Sequence, residues 1–67
     1  MSNNVKFIRK SKDFDLTQDE LARAIGVSRA TISAIENGAL PSLDVAYKIS
    51  VFLKKPIEEI FFEDSVA

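Results

Sequence analysis

The sequence predicts an all-α domain of five short helices, ending in a segment compatible with either a fifth helix throughout or a short terminal β element. Three observations carry this. Thr17, Ser28 and Ser42 each stand immediately before a stretch with helical apolar spacing, where a side-chain oxygen can cap the first turn. The two glycines and two prolines fall between those stretches, at points where a helix ends or begins. The chain has 67 residues, 46% of them hydrophobic, which suits one small domain spanning 1–67.

The elements follow in order. Val5, Phe7 and Ile8 lie in a basic stretch that reads as a first helix over about residues 3–11. Asp13–Asp15 is a polar connection with Phe14 turned inward. Thr17-Gln18-Asp19-Glu20 has the form of a capping box, in which Thr17 and Glu20 satisfy each other's backbone amides. The second helix, about 18–25, carries Leu21 and Ile25 on one stripe and stops at Gly26. Ser28 caps the third helix. Ile32 and Ile35 point inward with Ser28 and Thr31, while Ala30, Ser33, Ala34 and Asn37 share the opposite face and Arg29 flanks it. After Asn37-Gly38, Pro41-Ser42 opens a fourth helix bearing Leu43, Ala46, Ile49, Phe52 and Leu53. Pro56 opens the fifth, and periodicity does not decide whether Ile60-Phe61-Phe62 is helix or strand.

Composition excludes several classes. There is no cysteine and no histidine, so neither a disulfide nor an ordinary structural zinc site is available. The same absences, with no Gly-rich phosphate loop, argue against an enzyme, and no cofactor or small-molecule ligand is expected. The acids Asp13, Asp15, Asp19 and Glu20 do not make a calcium loop, because Gln18 and Ala24 stand where such a loop starting at Asp13 needs Gly and Glu. No apolar run spans a membrane and the start is no signal peptide, so a cytoplasmic location is expected.

A formal net charge of −1 is unusual for a nucleic-acid binder. The charge is arranged in blocks, however. Lys6, Arg9, Lys10 and Lys12 precede any acid, Asp13–Glu20 carries only acids, and the tail holds Glu58, Glu59, Glu63 and Asp64. Lys6, Lys10 and Lys12 read as a solvated face, with contact to phosphates as the alternative.

Residues 18–37 place two helices around the tight turn Gly26-Val27-Ser28. Ala22 is small where the helices must approach, and Leu21, Ile25, Val27, Ile32 and Ile35 are apolar where they share a core. Leu16-Thr17-Gln18-Asp19-Glu20-Leu21-Ala22, Ile25-Gly26-Val27-Ser28-Arg29, Thr31-Ile32-Ser33 and Ile35-Glu36-Asn37-Gly38 form one extended pattern. Pro41-Ser42-Leu43 and Pro56-Ile57-Glu58-Glu59-Ile60-Phe61 extend it. Through these residues the stretch 5–62 resembles the phage-repressor-like (lambda Cro and repressor type, xenobiotic-response-element-like) helix-turn-helix regulators, in their compact single-domain form.

That resemblance implies a lambda-repressor-like fold and a transcriptional regulator that binds double-stranded operator DNA. The third helix would enter the major groove and the second lie across the backbone. Carried over by position, Arg29, Ala30, Ser33 and Ala34 would face the bases. Gln18, Ser28, Thr31 and Asn37 would contact the backbone. Arg29 is the specificity candidate, since arginine can bind guanine bidentately. Ala30 and Ala34 depart from the long polar residues common there, which shifts weight toward backbone contacts and DNA shape. The connection Ser11–Asp15 is longer than the common family form. Arg9 and Glu36 match positions that often form a semi-buried ion pair.

Ile57, Ile60, Phe61 and Phe62 are more apolar surface than a small core usually needs near a chain end. They predict a homodimer through a segment at about 56–63, and a homodimeric repressor at an inverted repeat. With 67 residues, no separate ligand-sensing domain is expected. Two other readings remain open: an antitoxin or restriction-system controller with the same DNA-binding fold, and an interaction module that has lost DNA binding.

Overall fold

A computed structural model describes residues 2–62. In chain order the elements are β1 (Ser2–Asn3), α1 (Val5–Arg9), α2 (Gln18–Ile25), α3 (Arg29–Glu36), α4 (Leu43–Leu53), α5 (Ile57–Ile60) and β2 (Phe61–Phe62). Three helix starts are set by side chains. Thr17 Oγ1 accepts from the Glu20 amide at 3.0 Å while Glu20 Oε1 accepts from the Thr17 amide at 2.8 Å, the reciprocal pair expected. Ser28 Oγ accepts from the Thr31 amide and Ser42 Oγ from the Val45 amide. Each cap satisfies an amide that the helix itself leaves unpaired and contributes about 1 kcal/mol.

The core gathers one stripe from every helix. Val5 and Ile8 of α1 meet Leu21, Ala22 and Ile25 of α2, Ile32 and Ile35 of α3, and Ala46, Ile49 and Leu53 of α4; Ile60 and Phe61 close it. Burying each larger side chain contributes roughly 1.5–3 kcal/mol. Phe14 turns inward as expected and rests on Phe52, with ring centroids 6.0 Å apart. Its connection closes on itself: the amides of Phe14 and Asp15 both donate to the Ser11 carbonyl, and the Leu16 amide returns to the Arg9 carbonyl. Asp15 takes the left-handed backbone conformation, φ 49°, that this closure needs.

The structure departs from the sequence reading at two places and decides a third that the sequence leaves open. Ser28 is exposed at the cap instead of turning inward. The first helix is shorter at both ends, and its expected beginning, Asn3, belongs to a strand. The open choice at the C-terminal end falls to a short β element: Ile60 ends a helix and Phe61–Phe62 is a strand, paired antiparallel with β1 in the register Ser2 to Phe62 and Asn3 to Phe61. The Asn4 amide donates to the Ile60 carbonyl at 2.8 Å and Asn4 Nδ2 to the Glu59 carbonyl at 3.0 Å, so the two ends of the described chain are clasped together.

Candidate nucleic-acid interface

The turn between α2 and α3 is built from three residues. Gly26 adopts φ 80°, where a side chain is disfavoured, and its amide donates to the Ala22 carbonyl at 2.8 Å. The Val27 amide donates to the same carbonyl, and Ser28 returns to extended backbone as the cap of α3. Ala22 is fully buried at the approach of the two helices, as its size predicted. The reversal leaves α3 with its apolar stripe, Ile32 and Ile35, against the core.

The other side of α3 faces solvent. Arg29, Ala30, Ala34 and Asn37 are exposed and Ser33 is half-buried. Ser28 Oγ lies 2.9 Å from Thr31 Oγ1 besides capping Thr31, so these two hydroxyls hold one another at the helix start. The eight residues of α3 extend about 12 Å.

Beneath α3 lies a buried charged network. Arg9 Nε donates to Glu36 Oε2 at 2.7 Å and Nη2 to Oε1 at 3.1 Å, a two-point pairing; Nη1 donates to the Leu16 carbonyl at 2.7 Å. Both side chains are almost wholly buried, 7% and 4% exposed. Gln18 Nε2 donates to Glu36 Oε1 at 3.0 Å. Burial alone would raise the Glu36 pKa. The hydrogen bonds from Arg9 and Gln18 outweigh it, helped by the charges of Arg9 and Lys6, and the carboxyl is held below the ordinary glutamate range. One carboxylate therefore joins α3 to the end of α1 and the start of α2.

The family resemblance places Gln18 on the DNA backbone; in the structure the same side chain is also an internal tie to Glu36. An amide nitrogen carries two hydrogens, so one remains for an external acceptor. A shallow concavity lined by Lys10, Thr17, Gln18 and Arg29 brings together the starts of α2 and α3. Lys10 lies in this concavity, where the sequence allows either a solvated face or a phosphate contact. At the far end of α3, Asn37 shares a second concavity with Ser2, Asn3 and Gly38. Asn3 Nδ2 donates to the Ile35 carbonyl at 2.8 Å and Asn3 Oδ1 accepts from the Val5 amide at 3.1 Å. Asn3 thus ties the last turn of α3 to the first turn of α1. No local motif signals this bond, which spans more than thirty residues of chain.

The apolar C-terminal residues are placed differently from the expectation of a subunit contact. Ile60 is 0% and Phe61 7% exposed within a single chain, because both complete its own core. Ile57 packs partly buried against that core, and Phe62 remains exposed at 40%. Glu63, the last residue of the expected segment, lies outside the described residues. The exposed large apolar side chains lie elsewhere as well: Leu43, Tyr47 and Val51 on α4, with Leu40 just before it and Phe7 on α1.

Five short helices around a capped two-helix turn, with an exposed second helix, define a helix-turn-helix domain. Residues 5–60 match the helix-turn-helix family model, and the chain belongs to that family. It is 48% identical over 66 residues to an uncharacterized HTH-type transcriptional regulator of Methanocaldococcus jannaschii, covering 96% of this chain and 97% of the relative. A protein of the same description from Methanothermobacter thermautotrophicus is 47% identical, covering 79% of this chain and 80% of its own. Another, from Bacillus subtilis, is 38% identical with 92% of each chain covered.

Proposed function

We propose that the protein is a sequence-specific, double-stranded DNA-binding transcriptional regulator that acts as a homodimeric repressor at an inverted-repeat operator. The exposed outer row of α3 is the observation that carries this reading. Arg29 reads a base edge, Ser33 and the small Ala30 and Ala34 let the helix lie close in the major groove, and Gln18, Ser28, Thr31 and Asn37 hold the backbone. The alanines offer no hydrogen bonds to bases, so DNA shape and half-site spacing carry much of the selectivity. The relatives' description as transcriptional regulators supports the same assignment. A two-fold dimer would meet half-sites about 34–36 Å apart, one helical turn. Repression follows from occupying promoter DNA.

Selection of bound duplexes from a random pool tests this. An enriched inverted repeat with half-sites one turn apart is the expected result; enrichment of no repeat would remove the proposal. Against the selected site, Arg29→Ala should lose roughly 1–3 kcal/mol and relax one base position, measured by titration at fixed salt.

A further inference from the structure

The outer face of α4 carries an apolar stripe, flanked by the charged Asp44 and Lys48. Leu43, Tyr47 and Val51 stand at successive four-residue steps and are 80%, 62% and 58% exposed. Four-residue spacing aligns them in one stripe. They point away from Ala46, Ile49 and Leu53, which are the residues α4 buries. On one flank of the stripe, Lys48 Nζ meets Asp44 Oδ2 at 3.1 Å, an exposed ion pair. An apolar groove continues from the stripe toward α2, lined by Ala24, Tyr47, Val51 and Phe52.

We infer that this face is where a second copy of the chain docks, α4 against α4 in antiparallel array about a two-fold axis near Tyr47. This refines the homodimer of the proposed function and rests on it. The stripe is self-complementary in two ways. A two-fold axis at Tyr47 sets Leu43 against Val51 of the second copy and Tyr47 against itself, so each large side chain meets another. The same operation brings Asp44 of one copy within a helical turn of Lys48 of the other, on both sides of the axis. Opposite charges thus meet across the flank, because the antiparallel two-fold keeps both Asp44–Lys48 flanks on one side of the helix pair. The area also specifies the kind of complex. Eleven residues of helix make a face about 16 Å long. With the groove beside it, that is smaller than the roughly 800 Å² per partner of a standard interface. The free protein should therefore dimerise weakly, and DNA with two half-sites should favour the pair. Among the C-terminal residues, Ile60 and Phe61 are already buried in the chain's own core.

Cross-linking is unusually clean, because the chain has no cysteine. Tyr47→Cys introduces one thiol beside the proposed axis, and Phe62→Cys one at the exposed end of β2. Mild oxidation at tens of micromolar should give covalent dimer from the Tyr47→Cys chain and little from the Phe62→Cys chain. Sedimentation equilibrium should show Val51→Asp raising the dimer Kd at least tenfold. Asp44→Lys should weaken the dimer severalfold, and adding Lys48→Asp in the same chain should restore it. All five substituted positions are exposed and tolerate these changes without loss of the monomer fold, which circular dichroism checks. If wild type dimerises but only Phe62→Cys cross-links and Val51→Asp sediments unchanged, the α4 assignment falls and the homodimer stands. If wild type remains monomeric at all concentrations and on two-half-site DNA, both fall. A heterologous protein found on this face while wild type stays monomeric would likewise overturn it.

Discussion

Arg9 and Glu36 show how much one residue pair decides. Their side chains come from α1 and the end of α3, both nearly wholly buried, and join in two hydrogen bonds. Removing one partner leaves the other charge buried and unpaired, which in such sites costs roughly 3–5 kcal/mol. Arg9→Ala should therefore lower the denaturation midpoint sharply, a large share of a small domain's stability; an unchanged midpoint in urea would refute the role given to the pair. Glu36 also makes stability depend on pH. Its carboxyl is held below the ordinary range in the folded chain, so folding favours the ionised form. The contribution is complete above the unfolded glutamate value, about 4.3. It is lost as the pH falls through the lower folded value. Melting followed from pH 6 to pH 3 should show this loss, and Glu36→Gln should flatten the part of the slope that Glu36 causes. The pairing of Arg9 with Glu36 was legible through the family resemblance. The hydrogen bond from Gln18 to the same carboxylate was not, because it joins residues with no local relation in sequence.

Helix ends were the most legible elements. Thr17, Ser28 and Ser42 cap as their types and positions require, because a cap depends on three or four consecutive residues and little else. Gly26 belongs to the same class. Its φ of 80° suits glycine, and no atom lies within 4 Å of where a Cβ would sit. Gly26→Ala should thus cost about 1–2 kcal/mol from backbone strain alone, visible as a lower melting temperature with little change in the packing of Ile25 or Val27. A loss much larger than this would mean the turn resists a side chain for reasons of space, contrary to the structure. The ends of α1 were less legible. Its start is preceded by a strand held by distant residues, and its capping residue, Asn4, makes no side-chain cap bond to the helix.

For the molecule as a whole, the N-terminal segment acts as a clasp. Asn3 reaches the last turn of α3, Asn4 reaches α5, and Ser2–Asn3 pairs with β2. Each net hydrogen bond is worth about 0.5–1.5 kcal/mol. Deleting residues 1–4 should consequently destabilise the domain by roughly 2–4 kcal/mol, measured by urea denaturation. It should also weaken DNA binding more than Asn3→Ala alone, since the far end of α3 would lose its anchor. A truncated chain as stable as the intact one would show that the clasp carries no load. The net charge of −1 takes its meaning at this scale too. At the start of α3, Arg29 shares a concavity with Lys10 and Gln18 and also with the acids Asp15 and Asp19, so positive and negative charge stand side by side there. Binding through few phosphates predicts a shallow dependence on salt.

The sequence by itself determined the helical plan, the starts of α2 to α5 after Thr17, Ser28, Ser42 and Pro56, the stops at Gly26 and Asn37, and the apolar stripe that each helix turns to the core. These follow from caps, backbone preferences and periodicity, which act over one or two turns of chain. Only the tertiary structure decided that Phe61–Phe62 is a strand, that Asn3 and Gln18 brace α3, and that Ile60 and Phe61 complete the core while Leu43, Tyr47 and Val51 stay outside. Each of those outcomes depends on groups far apart in sequence competing for one partner or one volume. A short apolar run at a chain end satisfies helix, strand, core or interface equally well, and the choice is made by what the rest of the fold leaves uncovered.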